Sequence, residues 1–98
     1  MTEAQLQRAI VLAAKQLGFL CYHSAYSIGS EPGFPDLTIV GKGRLWMLEL
    51  KGPKGRVSER QEAWIETLCQ AGIDARIIWP ADYDAVMAEL MQAYEEAA

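Results

Sequence analysis

Residues 33–55 read GFPDLTIVGKGRLWMLELKGPKG, and this segment organises the rest of the chain. It contains two apolar runs, residues 37–40 and 45–50, which are separated by Gly-Lys-Gly-Arg at 41–44. Apolar runs rich in β-formers and joined by a short glycine-containing turn predict a β-hairpin. The Gly-Pro-Lys-Gly sequence at 52–55 ends the second strand, because glycine and proline seldom continue one.

The predicted hairpin determines which side chains face each other. A turn centred on residues 42–43 pairs Val40 with Leu45. The same register places Asp36 opposite Glu49, and directly opposed side chains have Cβ atoms roughly 4.5–5.5 Å apart. Two carboxylates at that distance repel each other and destabilise the sheet. We therefore expect a divalent cation to offset the repulsion.

A third charged side chain joins this pair. Lys51 follows Glu49 by two residues, so strand alternation places both on one face. Oxygen ligands of this kind favour Mg²⁺ or Mn²⁺ over zinc. Such a cation activates water and polarises a phosphate oxygen, while Lys51 orients the water or stabilises developing negative charge. Pro-Asp is also a common turn dipeptide and Glu-x-Lys a common solvent-facing pair, but a hairpin that opposes the two acids favours the functional interpretation.

The flanking segments carry helical and strand patterns. The predicted elements are a helix over 2–17 with Thr2 as N-cap, a strand over 19–23, the two hairpin strands, a helix from Ser58 to Gly72, a strand over 75–79 and a helix after Pro80. Residues 24–35 are predicted to form a long loop, a kind that is usually functional or mobile. The order α-β-β-β-α-β-α predicts one α/β domain over residues 1–98, with a mixed β-sheet flanked by helices.

Composition limits the class of protein. The 98 residues suffice for one hydrophobic core. No apolar run is long enough to span a bilayer, and the first residues lack the character of a secretory or transit leader. We therefore expect a soluble, cytoplasmic protein. Cys21 and Cys69 match no zinc-ligand spacing and are predicted to be buried free thiols.

The charge distribution separates a basic middle from an acidic end. The net charge of −4 by itself disfavours a nucleic-acid partner. However, six of the nine Lys and Arg residues fall within 42–60, whereas residues 82–98 hold five acidic residues and no basic one. A solvated surface loop gives the same cluster by chance. The residues expected to contact nucleic acid are Lys42, Lys54, Arg56, Arg60 and, at the end of a strand, His23.

Several of these residues form a pattern that resembles a known nuclease motif. Gly-Phe-Pro-Asp at 33–36, a gap of twelve residues and Glu-Leu-Lys at 49–51 resemble the PD-(D/E)XK nuclease signature. More narrowly, the chain is similar to the VRR-NUC (virus-type replication-repair nuclease) branch. In that branch a Glu in the first helix precedes these two motifs, and a Gln follows them. Glu3 matches the first element and Gln61 the last, so the resemblance extends from Glu3 to about Trp79.

The resemblance implies a role for each matched residue. Asp36, Glu49 and the backbone carbonyl of Leu50 would bind the metal, with Glu3 close by or bound through water. Lys51 would be the partner of the catalytic base or a stabiliser of charge. The fold implied is the mixed sheet of the PD-(D/E)XK nucleases.

Some of these residues have structural alternatives. The resemblance places Gln61 among the catalytic residues, but Ser58 and Gln61 also have the spacing of a capping box, in which Gln61 satisfies the Ser58 amide. Both roles are compatible. Glu3 on a first helical turn is a favourable partner of the helix dipole, and a lone His23 at a strand end is more often structural than catalytic. Three tryptophans could stack on bases, but their positions favour the core: Trp46, Trp64 and Trp79.

We therefore expect a Mg²⁺- or Mn²⁺-dependent endonuclease that cuts DNA at branched structures, such as four-way junctions or flaps, in replication, repair or recombination. In-line attack by activated water would leave a 5′-phosphate and a 3′-hydroxyl, as the resemblance implies. Two alternatives stay open. One is a restriction-like or RNA-cleaving nuclease with the same site residues. The other is a non-catalytic, DNA-structure-binding phage accessory protein, which the complete set Asp36, Glu49 and Lys51 disfavours.

A homodimer is expected as well, because a two-fold dimer duplicates the site and matches the symmetry of a four-way junction. Small members of the resembled family are generally dimeric, which supports this expectation. The candidate surface is the apolar stripe of the last helix, formed by Met87, Leu90, Met91 and Tyr94. The alternative is that this stripe packs on the chain's own sheet.

Overall fold

The computed structural model describes residues 1–24 and 31–98. Its helices and strands are α1 (Glu3–Gln16), β1 (Leu20–His23), β2 (Leu37–Gly41), β3 (Arg44–Leu50), α2 (Glu59–Gln70), β4 (Asp74–Ile78) and α3 (Tyr83–Ala97). A short 3₁₀ turn, Pro80–Asp82, precedes α3. The predicted order of elements is confirmed, whereas residues 25–30 of the predicted loop lie outside the described part of the chain. No helix within the described ranges is long and apolar enough to cross a membrane.

The four strands form one mixed sheet in the order β1-β2-β3-β4. β1, β2 and β3 are antiparallel neighbours, and β4 runs parallel to β3 because the chain crosses over through α2. The hairpin has the predicted register, with Val40 paired to Leu45. At its turn, Lys42 and Gly43 both have positive φ, 53° and 74°. These are the signs of a two-residue type I′ turn, whose twist matches that of the strands.

Strand alternation gives the sheet two different faces. One face packs against α1 and α3 and forms the core, whose buried residues are Leu6, Ile10, Ala14, Phe19, Leu37, Ile39, Trp46, Leu48, Leu50, Ile78, Val86, Leu90 and Ala93. The other face carries Glu49 and Lys51, and α2 covers it beside β4. No residue of α2 is buried by the described part of the chain. An apolar core on one side of the sheet therefore supports a polar site on the other.

Helices α1 and α2 both begin with a capping box. In α1, the Thr2 N–H donates to Gln5 Oε1 at 2.8 Å, and Thr2 Oγ1 accepts from the Gln5 N–H at 3.1 Å. In α2, Ser58 and Gln61 exchange the same pair of hydrogen bonds at 2.9 and 3.1 Å. Each box satisfies amides that have no partner inside the helix. The local sequence thus fixes the start of α2, and with it the position of Gln61.

The prediction that both cysteines are buried is wrong. Both are free thiols, but Cys21 is half-buried and Cys69 is exposed. Cys21 lies on the edge strand and Cys69 on the partly covered helix α2, so apolar neighbours in sequence do not bring burial at either position. The expectation for the tryptophans holds in part, because Trp46 is buried in the core while Trp64 and Trp79 are half-buried.

The apolar stripe of α3 divides between two environments. Leu90 is buried in the core and Met87 packs against it, so this half of the stripe covers the chain's own sheet. Met91 and Tyr94 are 46% and 43% exposed. The outer half of the stripe is therefore uncovered by the described residues.

Candidate functional site

Asp36 and Glu49 lie side by side, as the hairpin register predicts. The last paired residues before them are Leu37 and Leu48, so the next step of the ladder opposes the two acids. Asp36 Oδ2 accepts a hydrogen bond from the Leu50 N–H at 3.1 Å. The Asp36 carbonyl accepts another from the N–H of Ser24 at 3.2 Å. Asp36 is thus held by the strands on both sides of it.

The Glu49 carboxylate is buried, with 3% of the residue exposed. Its Oε2 accepts a hydrogen bond from Gln61 Nε2 at 2.9 Å and lies 3.5 Å from Lys51 Nζ. Its Oε1 is buried and has no hydrogen-bond partner among the described residues. Burial of the carboxylate, together with the charge and a hydrogen bond of Asp36, raises the pKa of Glu49 from 4.5 to about 7, against the opposing effect of Lys51. Burial and the neighbouring Asp36 therefore disfavour the charged form of Glu49 more strongly than Lys51 favours it.

Lys51 is also buried, with 7% of the residue exposed. Its backbone N–H donates to the Ile78 carbonyl at 2.9 Å, which ties the end of β3 to β4. Its Nζ donates to Gln61 Oε1 at 2.8 Å. A buried ammonium group is tolerated only where such partners satisfy it, so the amide of Gln61 and the carboxylate of Glu49 together fix Lys51 in the site.

Gln61 makes the contacts of a helix cap and also contacts with two site residues. Its Oε1 accepts from the Ser58 N–H at 2.9 Å and completes the capping box of α2. The same oxygen accepts from Lys51 Nζ, while its Nε2 donates to Glu49 Oε2. One amide thus connects the start of α2 to both charged side chains of β3. The interaction with the cap and the interaction with the site are therefore properties of a single side-chain conformation.

Glu3 lies near this site but does not complete a ligand cluster. A Cβ built on Gly52 would be 3.4 Å from the Glu3 backbone nitrogen, so the first turn of α1 borders the loop that follows Lys51. The Glu3 side chain is exposed. Within residues 1–24 and 31–98, no three His, Cys, Asp or Glu side chains group closely enough to hold a metal ion. The structure brings together Asp36 and Glu49. The N–H of Leu50, the residue after Glu49, donates to the Asp36 carboxylate.

Three of the predicted basic residues flank the site. Lys54 and Arg56 are exposed on the loop between β3 and α2, and Arg60 is exposed on the first turn of α2. Gly33, with φ of +90°, packs so closely on that turn that an added Cβ would lie 2.6 Å from the Arg60 carbonyl carbon. The residues that precede Asp36 therefore dock directly on the start of α2. This contact keeps the acidic and the basic parts of the site together.

Lys42 and His23 lie elsewhere. Lys42 is at the hairpin turn, six residues after Asp36, and strand geometry separates the two by about 20 Å. Its Nζ is 4.8 Å from the ring centroid of Phe19 and 5.5 Å from that of Tyr94, so Lys42 packs on these two rings rather than beside Asp36. His23 pairs with Leu37 on the core side of the sheet, and its Nδ1 is 3.3 Å from Gln7 Nε2. The structure does not bring either residue into the group around Asp36.

An aromatic pair lies beside the site. The sequence patterns name one member, Trp64, as a tryptophan that could stack on bases but is expected in the core, and they do not single out the other, Phe34. The rings of Phe34 and Trp64 meet edge to face, with centroids 5.0 Å apart and an interplanar angle of 80°. Phe34 lies inside the motif that ends in Asp36, and Trp64 lies one helical turn after Gln61. The sequence offers one signal for the pair, because each aromatic residue is close in sequence to a site residue. That the two rings touch depends on the docking of the loop on α2, which the sequence does not reveal.

Comparison with known proteins agrees with these features. Residues 2–79 match the model of the VRR-NUC domain. A solved structure named "VRR_NUC domain protein" superposes with a TM-score of 0.71 and 23% identity, covering 100% of this chain and 91% of the other. A second, named "VRR_NUC domain", gives a TM-score of 0.71 and 20% identity, covering 94% and 97%. No curated protein matches the chain significantly. At these identities the structural likeness establishes the fold.

Proposed function

Since this chain belongs to the VRR-NUC family and is therefore a nuclease domain of the PD-(D/E)XK type, we propose that it is a Mg²⁺- or Mn²⁺-dependent endonuclease that cuts branched DNA. The family is generally dependent on divalent metals. The observation that carries the proposal is the buried Oε1 of Glu49, which has no hydrogen-bond partner within residues 1–24 and 31–98 and lies in a site that also contains Asp36 and Lys51. A buried carboxylate oxygen without a partner costs free energy unless a cation or a proton satisfies it.

The donor set fits a hard divalent cation. Asp36 and Glu49 offer carboxylate oxygens, and the adjacent Leu50 carbonyl would be a third oxygen ligand. Glu3, on the neighbouring turn of α1, would act through water. Cys21 and His23 are not part of the set, which argues against zinc. When bound, the metal supplies positive charge beside a phosphate oxygen and makes water a stronger nucleophile near neutral pH.

The chain's own residues organise the reaction around that charge. Lys51, held by Gln61 and Glu49, presents an ammonium group that stabilises negative charge developing on the phosphate. Gln61 keeps Lys51 and Glu49 at fixed positions, so the ammonium group needs no rearrangement when substrate binds. Lys54, Arg56 and Arg60 contact the phosphates on either side of the scissile one.

Branched DNA as the substrate and a homodimer as the active form are linked parts of the proposal. One such site cuts one strand, and a chain of 98 residues offers little surface to hold a junction. A two-fold dimer would present two sites in the symmetry of a four-way junction. The exposed outer half of the α3 stripe, Met91 and Tyr94, is the candidate contact. Light scattering at micromolar concentration tests for the dimer, because the measured molar mass should be twice that of one chain. A monomer that cuts both strands of a junction in concert would contradict it.

The cleavage assay compares end-labelled four-way junction, flap, duplex, single-stranded and RNA substrates with Mg²⁺, with Mn²⁺ and with EDTA. We expect junction or flap cleavage that requires the metal and is abolished in Asp36→Asn and Glu49→Gln. Preferential cleavage of one duplex sequence would support a restriction-like enzyme, and cleavage of RNA a ribonuclease. Tight junction binding by the wild-type chain without cleavage in either metal would support a non-catalytic binding protein. Cleavage in EDTA would contradict the metal-dependent mechanism.

A further inference from the structure

The Phe34–Trp64 pair lies close in sequence to two residues of the proposed site. Phe34 precedes Asp36 by two residues, and Trp64 follows Gln61 by three on the same helix. Their edge-to-face contact joins the loop before β2 to the helix that covers the site. The pair is therefore anchored to both sides of the site rather than to one flexible segment.

The two rings have no role in the core that explains their position. The core lies on the opposite face of the sheet, against α1 and α3. Phe34 is 40% exposed, and Trp64 is half-buried on a helix none of whose residues is buried by the described chain. Trp64 also borders a shallow apolar hollow of about 220 Å³, together with Ala63 and Thr67. Solvent-exposed aromatic surface next to a polar site is more typical of a binding surface than of folding.

The surroundings favour a nucleic-acid base as the ligand. Arg60 belongs to the turn of α2 on which Gly33 docks, directly before Phe34. Its exposed guanidinium, with the charged groups of Lys54 and Arg56 on the neighbouring loop, can hold the phosphates of a strand while the aromatic rings receive a base. Proteins hold single strands by a combination of two features. Positively charged groups contact the backbone, and aromatic rings beside them stack on the bases. A base inside a duplex already has both faces stacked, so only an unpaired base can occupy such a platform.

We propose that Phe34 and Trp64 form a stacking platform for one unpaired nucleobase adjacent to the scissile phosphate. The inference rests on the proposed nuclease function and adds a selection step to it. The platform favours DNA in which the strand to be cut has at least one unpaired nucleotide, as at a flap or an opened junction. Phe34 is the exposed ring and makes the contact with the base, while Trp64 holds Phe34 in place.

The direct test measures stacking without cleavage. Flap substrates carry the fluorescent base 2-aminopurine at one unpaired position at a time, and they are mixed with Asp36→Asn protein in EDTA. We expect quenching at one position next to the cut site. Phe34→Leu, which keeps an apolar side chain but loses the ring, should abolish the quenching and weaken binding by about tenfold, whereas Phe34→Tyr should retain both. Tyr22→Leu, which removes an exposed ring of the edge strand, is the control.

The second test asks whether the Phe34 side chain and the unpaired base act through each other. Removing that base from the flap, to give an abasic nucleotide, should slow wild-type cleavage as much as Phe34→Leu does. The abasic change should then have no further effect on Phe34→Leu. Equal quenching in wild type and Phe34→Leu, or independent effects of the two changes, would overturn the platform while leaving the nuclease intact. A loss of dimer in Phe34→Leu with unchanged quenching would likewise overturn it and indicate a subunit contact. A wild-type chain that cuts nothing yet still quenches through Phe34 would instead contradict the proposed function alone.

Discussion

Gln61 Nε2 donates a 2.9 Å hydrogen bond to the buried Oε2 of Glu49, so a residue that caps a helix also holds an acidic side chain of the central strand. The amide oxygen of Gln61 accepts from Ser58 and Lys51 at the same time. The position of Lys51 relative to Glu49 is thus set by the start of α2. Any substitution of the Gln61 side chain therefore changes both the helix cap and the site. A substitution of Ser58 can change the cap alone.

Variants of Gln61 and Ser58 separate these two contributions. Gln61→Ala removes the cap hydrogen bond that Gln61 Oε1 accepts from the Ser58 N–H, together with the contacts to Glu49 and Lys51. It should lose on the order of 1 kcal/mol of stability and more than about tenfold in rate. Ser58→Ala removes only the other cap hydrogen bond, which the Gln61 backbone N–H donates to Ser58 Oγ. It should lose similar stability but keep nearly wild-type rate. Thermal unfolding and single-turnover cleavage measure both quantities. Equal rate losses in the two variants would show that Gln61 acts only through the helix.

The metal-free protein should become less stable as pH rises toward neutrality. The folded-state pKa of Glu49 is raised from 4.5 to about 7, chiefly because the carboxylate is buried and lies beside Asp36. Between these values the native state binds more protons than the unfolded state, so the free energy of unfolding falls as pH increases through this range and levels off above it. Glu49→Gln should remove this fall and be more stable than wild type above pH 7.

Denaturant unfolding of both proteins in EDTA across this pH range measures the difference. A wild-type curve parallel to that of Glu49→Gln would show that Glu49 does not titrate in the native state as expected. Asp36→Asn is the second comparison. Because it removes the neighbouring charge, it should reduce the fall without abolishing the contribution of burial.

Lys51→Ala should remove catalysis more than metal binding. The ammonium group supplies charge to the phosphate rather than a ligand to the cation, so the rate should fall by about 10²–10³-fold while Mn²⁺ affinity changes little. Single-turnover cleavage and calorimetric titration give the two values. Loss of Mn²⁺ binding together with activity would mean that Lys51 supports the ligands instead of the reaction.

The basic loop should hold the DNA backbone without reading its sequence. Lys54→Ala and Arg56→Ala should weaken binding similarly on unrelated sequences, and each should reduce the slope of log affinity against log salt by about one unit. Lys42→Ala is the matched control, because Lys42 packs on Phe19 and Tyr94 far from Asp36. A sequence-dependent loss for Lys54 or Arg56 would indicate base readout. An equal change of slope for Lys42 would indicate a wider DNA contact.

The hairpin could be predicted because its information is local. One short glycine turn sets the register, and the register alone opposes Asp36 to Glu49. The capping box of α2 is local in the same way, so the start of that helix could also be predicted. Strand alternation then places Lys51 on the face of Glu49, as the structure has it.

The remaining features depend on contacts between distant segments. The bond between Gln61 and Glu49 requires α2 to lie over β3, and the Phe34–Trp64 contact requires the loop to dock through Gly33. The basic residues are close in sequence, but the hairpin carries Lys42 away from the others. The prediction that the cysteines are buried failed for the same reason. An apolar neighbourhood in sequence does not reveal which elements lie at the edge of the fold.

The measurement that bears most directly on the account is a calorimetric titration of Mn²⁺ into the wild-type protein, Asp36→Asn and Glu49→Gln, above pH 7. Both carboxylates are ligands in the proposed site, so the wild type should bind Mn²⁺ and each variant should lose that binding while remaining folded. Below pH 7 the wild-type affinity should also weaken, because the cation then displaces a proton from Glu49. A wild-type chain that binds no Mn²⁺, or variants that bind it as well as the wild type, would contradict the central claim that Asp36 and Glu49 form a metal site.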